Sequence, residues 1–165
     1  MIIDLKHIFV TDNSAFPLRY ALDLSDIEYM GEYPLKKPVE IVGEIVNKAS
    51  LVRLEAEIRF EFDALCDRCG TRTAKQHILK VSKSLATSIA GEESDTIITV
   101  PDMKLDLDEL LYGETVTNLP MKHLCSDDCK GLCPKCGKNL NEGECGCERR
   151  EIDPRLRALA DLLND

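Results

Sequence analysis

The chain has 165 residues, of which 44% are apolar, and it carries a formal net charge of −9. It holds no stretch near the ~20 continuous apolar residues that cross a bilayer, and its first residues lack the basic region and apolar run of a secretion signal. We therefore expect a cytoplasmic protein with no membrane partner. A chain this acidic is not a general nucleic-acid binder, because phosphate repels it at long range. In a reducing compartment, its eight cysteines are better explained by metal binding than by disulfides.

The clearest pattern in the first half is a strict alternation of apolar and charged residues. It covers residues 53–64, RLEAEIRFEFDA, and predicts a strand with one buried and one wet face. The β-branched run 39–46 precedes it, and residues 47–50, NKAS, can turn the chain. Together these segments predict a β-hairpin. The run 16–24, FPLRYALDL, predicts an earlier strand.

Two more strands are predicted after the alternating one. Residues 71–90 form a long strand that is interrupted or bent, residues 91–95 form a loop, and residues 96–100, TIITV, form a short strand. Taken together in chain order, the predicted strands form an antiparallel meander.

A helix is predicted to follow, from about residue 106 to 118. Asp106 suits the N-cap, with Glu109 as its capping-box partner, and Pro120 ends the helix. Near the end of the chain, Asp153 and Pro154 precede RLRALADLL, which predicts a short amphipathic helix.

The predicted fold class is α+β. It is an antiparallel β-meander, either open or barrel-like, with one or two packing helices and a C-terminal zinc-binding module. Residues 1–120 form the β-rich domain, which contains the helix at about 106–118. Residues 121–165 form the Cys-rich zinc-binding module with its short C-terminal helix.

Cysteine spacing is the most specific signal in the sequence. Residues 66–70, CDRCG, and residues 133–137, CPKCG, are both C-x-x-C-G, a spacing that brings two sulfurs onto one cation. The glycine can adopt positive φ, which lets backbone N–H groups turn toward the thiolates. Four thiolates around each tetrahedral zinc account for all eight cysteines, so we expect two zinc ions per chain. The predicted metal ligands are Cys66, Cys69, Cys125, Cys129, Cys133, Cys136, Cys145 and Cys147.

Two groupings of these cysteines are open. The preferred one joins the first C-x-x-C-G segment to Cys125 and Cys129, and the second segment to Cys145 and Cys147. The rival pairs the two C-x-x-C-G segments around one metal and leaves the other four cysteines for the second.

The cysteines favour a role in stabilising the fold over a role in catalysis. Four sulfurs leave a zinc ion no open position for a substrate. His123 is better read as a surface histidine than as a spare ligand, and His7 and His77 have no partner visible in the sequence. We find no phosphate loop, nucleophile elbow or dinucleotide fingerprint. The sequence therefore predicts a protein that is not an enzyme and has no small-molecule substrate.

Four stretches together resemble the YceD family. They are CDRCG after a long alternating strand, an acidic, leucine-rich helix ending in LP, the block LCSDDCKGLCPKCGKNLNEGECGCE, and DPRLRALADLL. That family is bacterial, with plastid relatives, and is tied to accumulation of the large-subunit ribosomal RNA. Its gene commonly lies beside that of a zinc-binding large-subunit ribosomal protein. Some members lack a counterpart of residues 133–147, which favours the preferred grouping.

The resemblance implies a non-enzymatic zinc-binding factor in large ribosomal subunit biogenesis, which supports accumulation or processing of 23S rRNA. Its partner would be a large-subunit precursor, contacted through rRNA or through a basic ribosomal protein. RNA contact would use the acid-free stretch 68–83, which is otherwise a solvated strand face. The bases of that stretch are Arg68, Arg72, Lys75, Lys80 and Lys83.

Another class of function stays open on the residues alone. C-x-x-C together with C-x-C suits a zinc-thiol redox switch or a redox-regulated chaperone, because exposed zinc-bound thiolates oxidise. A zinc-ribbon transcription regulator is disfavoured, because the sequence has no recognisable DNA-reading helix and is acidic.

Overall fold

A computed structural model describes residues 1–88 and 95–147 of the chain. The elements in chain order are β1 (Ile2–Asp4), α1 (Lys6–Val10), β2 (Ala15–Leu22), β3 (Val39–Lys48), β4 (Leu51–Leu65), β5 (Arg72–Ala86), β6 (Ile97–Thr99), β7 (Lys104–Asp106) and α2 (Leu107–Thr117). Five strands form one sheet in the order β2-β3-β4-β5-β6, and β1 pairs with β7 in a separate two-stranded sheet. Within the described part of the chain, neither helix has the length and apolar character that a membrane crossing needs.

The predicted β-hairpin is confirmed. β3 and β4 pair antiparallel and end with Lys48 opposite Leu51. Ala49 and Ser50 between them have φ of 51° and 61°. Two successive left-handed residues form the tight turn whose twist matches that of the flanking strands. Through most of β4, side chains at alternating positions are buried, as the sequence pattern predicted. The strands predicted at 16–24 and 71–90 appear as β2 and β5, although residues 89 and 90 lie outside the described residues.

The prediction of an antiparallel meander is wrong at its last strand. β6 runs parallel to β5, with Ser84 opposite Ile97 and Ala86 opposite Thr99, so the sheet is mixed. A two-residue hairpin loop would have forced the antiparallel arrangement, whereas the connection between β5 and β6 is longer than such a loop. The barrel-like alternative is also wrong: within the described residues, β2 and β6 are open edges of the sheet. Most of the predicted loop, residues 91–94, lies outside the described residues.

The helix predicted at 106–118 is confirmed as α2. Its N-cap is Asp106, whose side chain accepts hydrogen bonds from the backbone N–H groups of Asp108 and Glu109. The five-residue helix α1 was not predicted. It buries Ile8, whose carbonyl accepts a 2.7 Å hydrogen bond from the buried side-chain amide of Asn47 on β3. The helix predicted near the end of the chain lies outside the described residues.

Apolar side chains from the sheet and both helices form one main core. A second, smaller buried cluster at the end of β4 contains Cys66, Cys69 and Cys129. The large side chains that are fully buried in the main core include Leu5, Leu35, Ile41, Ile45, Leu54, Ile58, Leu107 and Leu111. The division of the chain at residue 120 stays a prediction.

One glycine of the sheet is required by the close approach of two strands. Gly43 on β3 is paired with Ala56 on β4. A Cβ at residue 43 would lie 2.6 Å from the Cα and 2.8 Å from the Cβ of Ala56, which is closer than real Cβ atoms approach. Any side chain at this position would therefore force the two strands apart.

Candidate metal centres

The two C-x-x-C-G segments fold into the same turn. The Gly70 N–H donates to the Cys66 carbonyl, and the Gly137 N–H donates to the Cys133 carbonyl, each at 2.8 Å. In both turns the N–H of the first cysteine also donates to the carbonyl five residues later. The glycines have φ of 69° and 73°, the left-handed conformation that the sequence predicted for them.

The first cluster consists of Cys66, Cys69, Cys125 and Cys129, whose Sγ atoms all lie within 4.8 Å of one another. The Sγ atoms of Cys66 and Cys129 are 3.8 Å apart, and those of Cys69 and Cys125 are 3.6 Å apart. A disulfide bond is only about 2.05 Å long. Four sulfurs at about 2.3 Å from a zinc ion form a tetrahedron with edges of about 3.8 Å. The separations therefore fit four thiolates around a cation of that size.

The second cluster consists of Cys133, Cys136, Cys145 and Cys147, again with all Sγ atoms within 4.8 Å. Cys133 is buried, Cys136 is exposed, and the other two are half-buried. The structure thus groups the sulfurs as the sequence favoured, and the rival grouping is wrong. Both clusters could hold metal ions, because each offers four soft sulfur donors and nothing else.

Backbone N–H groups favour a thiolate in each cluster. Burial opposes ionisation of Cys66, but N–H groups that include those of Cys125 and Arg68 outweigh it and lower the thiol pKa to about 6. The N–H groups of Cys136 and its neighbour lower the pKa of Cys133 to about 6 as well. Repulsion then limits further ionisation, and hydrogen bonding to Cys129 and other sulfurs raises the pKa of Cys125 to about 12. A bound cation would relieve this repulsion.

His123 fastens the first cluster to the sheet. Its backbone N–H donates to Asp67 Oδ2 at 2.7 Å, and the Asp67 N–H donates back to the His123 carbonyl at 2.9 Å. Its ring Nε2 lies 2.8 Å from Thr73 Oγ1, and the ring packs on Phe62 with centroids 5.5 Å apart. The prediction of a surface histidine is wrong, since the side chain is buried. Partners 50 or more positions away in the sequence bury it.

The two clusters are in contact. Arg68, inside the first C-x-x-C-G turn, donates from Nη1 to the Cys129 carbonyl at 2.8 Å, and its own carbonyl accepts from the Leu132 N–H at 3.1 Å. The Asn141 side chain, within the loop of the second cluster, donates from Nδ2 to Cys129 Sγ at 3.3 Å. The same amide accepts from the Lys130 N–H at 2.8 Å. Order in one cluster therefore supports order in the other.

A comparison with protein families covers both cysteine clusters. Residues 54–163 match the family described as "Large ribosomal RNA subunit accumulation protein YceD", and all eight cysteines fall inside the match. The chain belongs to the YceD family. No solved structure matches the chain.

Three curated proteins are similar to this chain over part of their own length. The chain is 26% identical over 180 residues to "Large ribosomal RNA subunit accumulation protein YCED homolog 1, chloroplastic" of Arabidopsis thaliana, a match that covers 90% of the chain and 54% of the plant protein. It is 31% identical over 151 residues to an uncharacterized protein of Mycobacterium leprae, covering 88% of the chain and 65% of the relative. An uncharacterized protein of Mycobacterium tuberculosis is 37% identical over 71 residues, 43% of the chain and 34% of the relative. The chain spans about half of the plant relative and less than two thirds of each mycobacterial one.

In the YceD chain the five predicted RNA-binding bases do not share one surface. Lys75 and Lys83 lie on the face of β5 that points toward the core, and Arg72 and Lys80 lie on the opposite, outer face. Arg68 precedes the strand and donates to carbonyls of the first cluster. The sequence already separates the bases of the two faces, because residues at an odd spacing along a strand lie on opposite faces.

Acidic neighbours already balance most of these bases. Arg72 forms ion pairs with two carboxylates. Lys83 pairs with Glu114 at 2.6 Å, and Lys80 lies opposite Glu57 in the sheet register. Contact between RNA and the complete predicted set stays a prediction. Asn141, which donates to Cys129 Sγ, was not predicted as a site residue, because an asparagine in a loop carries no specific signal.

Proposed function

We propose that this protein is a zinc-stabilised, non-enzymatic factor that supports accumulation of the large-subunit ribosomal RNA. The observation that carries the proposal is the YceD family match, which spans both cysteine clusters. The plant relative that bears the same description in its name is similar to 90% of the chain. The partner in this proposal is a large-subunit precursor, met in the cytoplasm through its RNA or through a basic ribosomal protein.

Zinc in this proposal is structural. Four thiols around each ion fill its tetrahedral shell, so neither site keeps a position for a substrate or an activated water. The first cluster joins the end of the β4–β5 hairpin to the segment after α2, and the second orders a small loop. Metal binding would supply folding free energy to segments that bury little apolar surface.

Ribosomal RNA levels test the proposed function. The gene is depleted in its own organism, and large-subunit and small-subunit rRNA are quantified by electrophoresis and by precursor-specific probes. We expect the large-subunit rRNA to fall relative to the small-subunit rRNA, and a copy of the gene to restore it. Tagged protein should co-sediment with large-subunit precursors. An unchanged rRNA ratio after depletion would refute the proposal.

The exposure of Cys136 favours a second candidate, a redox switch at the second cluster. Two zinc-bound thiolates would give two electrons to hydrogen peroxide, which takes up two protons and leaves as two waters while one disulfide forms and zinc is released. A chromophoric zinc indicator during mild peroxide treatment measures the release, and protection of an unfolding client protein measures chaperone activity. If zinc leaves without any gain of client protection, this candidate fails.

A further inference from the structure

A cavity opens between the core-facing side of β5 and the segment that leads from α2 into the first cluster. Its volume is about 270 Å³. The residues that line it are Lys75, His77, Lys122, His123, Leu124 and Asp127. In a chain of net charge −9, four of these six side chains are lysine or histidine.

The lysines of the cavity are free to meet an anion. Within residues 1–88 and 95–147, neither the Lys75 nor the Lys122 ammonium has a hydrogen-bond or ion-pair partner, in contrast to Lys83 on the same face of β5. Lys75 lies opposite Phe62 and not opposite an acid in the sheet register. Asp127 is the acid of the lining, so the two lysines leave a positive formal balance.

His77 adds a polar atom that lacks a partner. Its ring stacks on Phe60, with centroids 5.5 Å apart and planes 17° apart, which fixes the ring beside Lys75 on the same face of the strand. Among the described residues, His77 Nε2 is buried without a hydrogen-bond partner. A buried polar atom of this kind is stabilised when a ligand supplies the missing hydrogen bond.

The far wall of the cavity is held in place. His123 is tied to Asp67 through both of its backbone polar groups and to Thr73 through its ring. Lys122 directly precedes His123, so its backbone cannot move far from β5. The lysine ammonium groups are thus presented from two walls on rigid backbone, which lowers the entropy lost when a ligand binds.

We propose that this cavity binds a backbone phosphate of single-stranded RNA, with Lys75 and Lys122 as the charged contacts and His77 as a hydrogen-bonding partner. The choice of RNA as the source of the phosphate rests on the proposed function. The site differs from the basic stretch read from the sequence: it keeps Lys75, adds Lys122 and excludes the outer face of β5.

Fluorescence anisotropy with a fluorescein-labelled single-stranded RNA of mixed sequence tests the site, using the full-length protein purified with zinc. Lys75→Gln and Lys122→Gln should each weaken binding roughly tenfold, because a hydrogen bond to a charged group is lost. Each should also reduce the slope of log K against log salt by about 0.7, the value for one single-strand phosphate contact. Lys75→Arg should retain binding. Zinc content and circular dichroism establish that the variants fold.

Lys80→Gln is the matched control. Lys80 is an exposed lysine on the same strand, but it lies on the opposite face. Its loss should change affinity by no more than about twofold. Equal weakening by Lys80→Gln and Lys75→Gln would overturn the site, since it would show a general effect of charge. Polyglutamate that displaces RNA from the wild-type protein at equal charge concentration would also overturn it.

The experiments distinguish a failure of the cavity proposal from a failure of the proposed function. If wild-type protein co-sediments with large-subunit precursors but does not bind the RNA probe, the cavity proposal is wrong and the proposed function stands. If the protein binds RNA through Lys75 and Lys122 but depletion leaves the rRNA ratio unchanged, the cavity is supported and the proposed function falls.

Discussion

Removing one cysteine pair from each cluster should have unequal effects on the sheet. In one variant Cys66 and Cys69 are changed to serine, and in the other Cys133 and Cys136 are changed. Both variants lose two sulfurs from a C-x-x-C-G turn of the same geometry. Any difference in the stability of the sheet therefore reports what each cluster joins, and not the chemistry of the substitution.

The magnitude follows from the length of chain that each cluster closes. Cys69 and Cys125 are 56 positions apart, and a cross-link over a loop of that length is worth about 4 kcal/mol in the chain-entropy model. Cys136 and Cys145 are nine positions apart, which gives about 2.6 kcal/mol, but this falls on a local loop. The sheet would lose only the few hydrogen bonds between the clusters, at about 1 kcal/mol each.

Urea denaturation of zinc-loaded protein, followed by far-UV circular dichroism, measures the free energy of unfolding of the sheet. We expect a loss of about 4 kcal/mol for the first variant and about 1 to 2 kcal/mol for the second. Hydrogen exchange should place the second loss in residues 130–147 and leave β4 and β5 protected. Equal losses in the two variants, or no effect of a chelator on the wild-type protein, would refute this reasoning.

Three further predictions concern metal content, packing and pH. Elemental analysis should find two zinc ions per chain, and a reproducible single zinc would contradict the reading of the clusters. Gly43→Ala should lower the unfolding free energy by about 3 kcal/mol through overpacking, whereas Gly113→Ala, in open space on α2, should be neutral or raise it by up to about 1 kcal/mol; equal urea midpoints would rule this out. Hydrogen bonding from Lys36 lowers the pKa of Asp63 below its ordinary 3.8, so the pair stabilises the fold above that pH and loses its effect as pH falls through the lowered value. Asp63→Asn should therefore destabilise the protein at neutral pH and flatten its loss of stability in acid. If the unfolding free energies of the wild-type and variant proteins fall in parallel as pH is lowered, the Lys36–Asp63 pair does not contribute to stability in this way.

Local patterns were sufficient for much of the fold. The alternation over residues 53–64 predicted β4 because a strand with one buried face needs that period. Asp106 predicted the start of α2 because its side chain satisfies free N–H groups at the helix end. Cysteine spacing predicted the turns. In each of these cases the determining interactions lie close together in the sequence. The grouping of the cysteines spans 56 positions, and it was favoured by the family resemblance and not by a local pattern.

The remaining features depend on contacts that are distant in sequence. β6 pairs in parallel with β5, and a run as short as residues 96–100 carries no local pattern that indicates this direction. Leu5, the N-cap of helix α1, makes no side-chain capping hydrogen bond, so the start of this helix had no recognisable signal. His123 is buried by residues on β4 and β5. The basic stretch 68–83 does not form a single surface for a different reason: side chains alternate between the two faces of β5, as they do on β4.

The hydrogen bond from the Asn141 amide couples the ordering of the two clusters. Because this amide donates to Cys129 Sγ, whichever cluster orders first lowers the cost of ordering the other, and reciprocity makes that benefit equal in both directions. Synthesis from the N-terminus gives the coupling a direction in time, since the first cluster lacks its last sulfur until Cys129 has emerged. The nascent chain therefore cannot complete the first cluster before Cys129 emerges, and the hydrogen bond from Asn141 becomes available only 12 residues later.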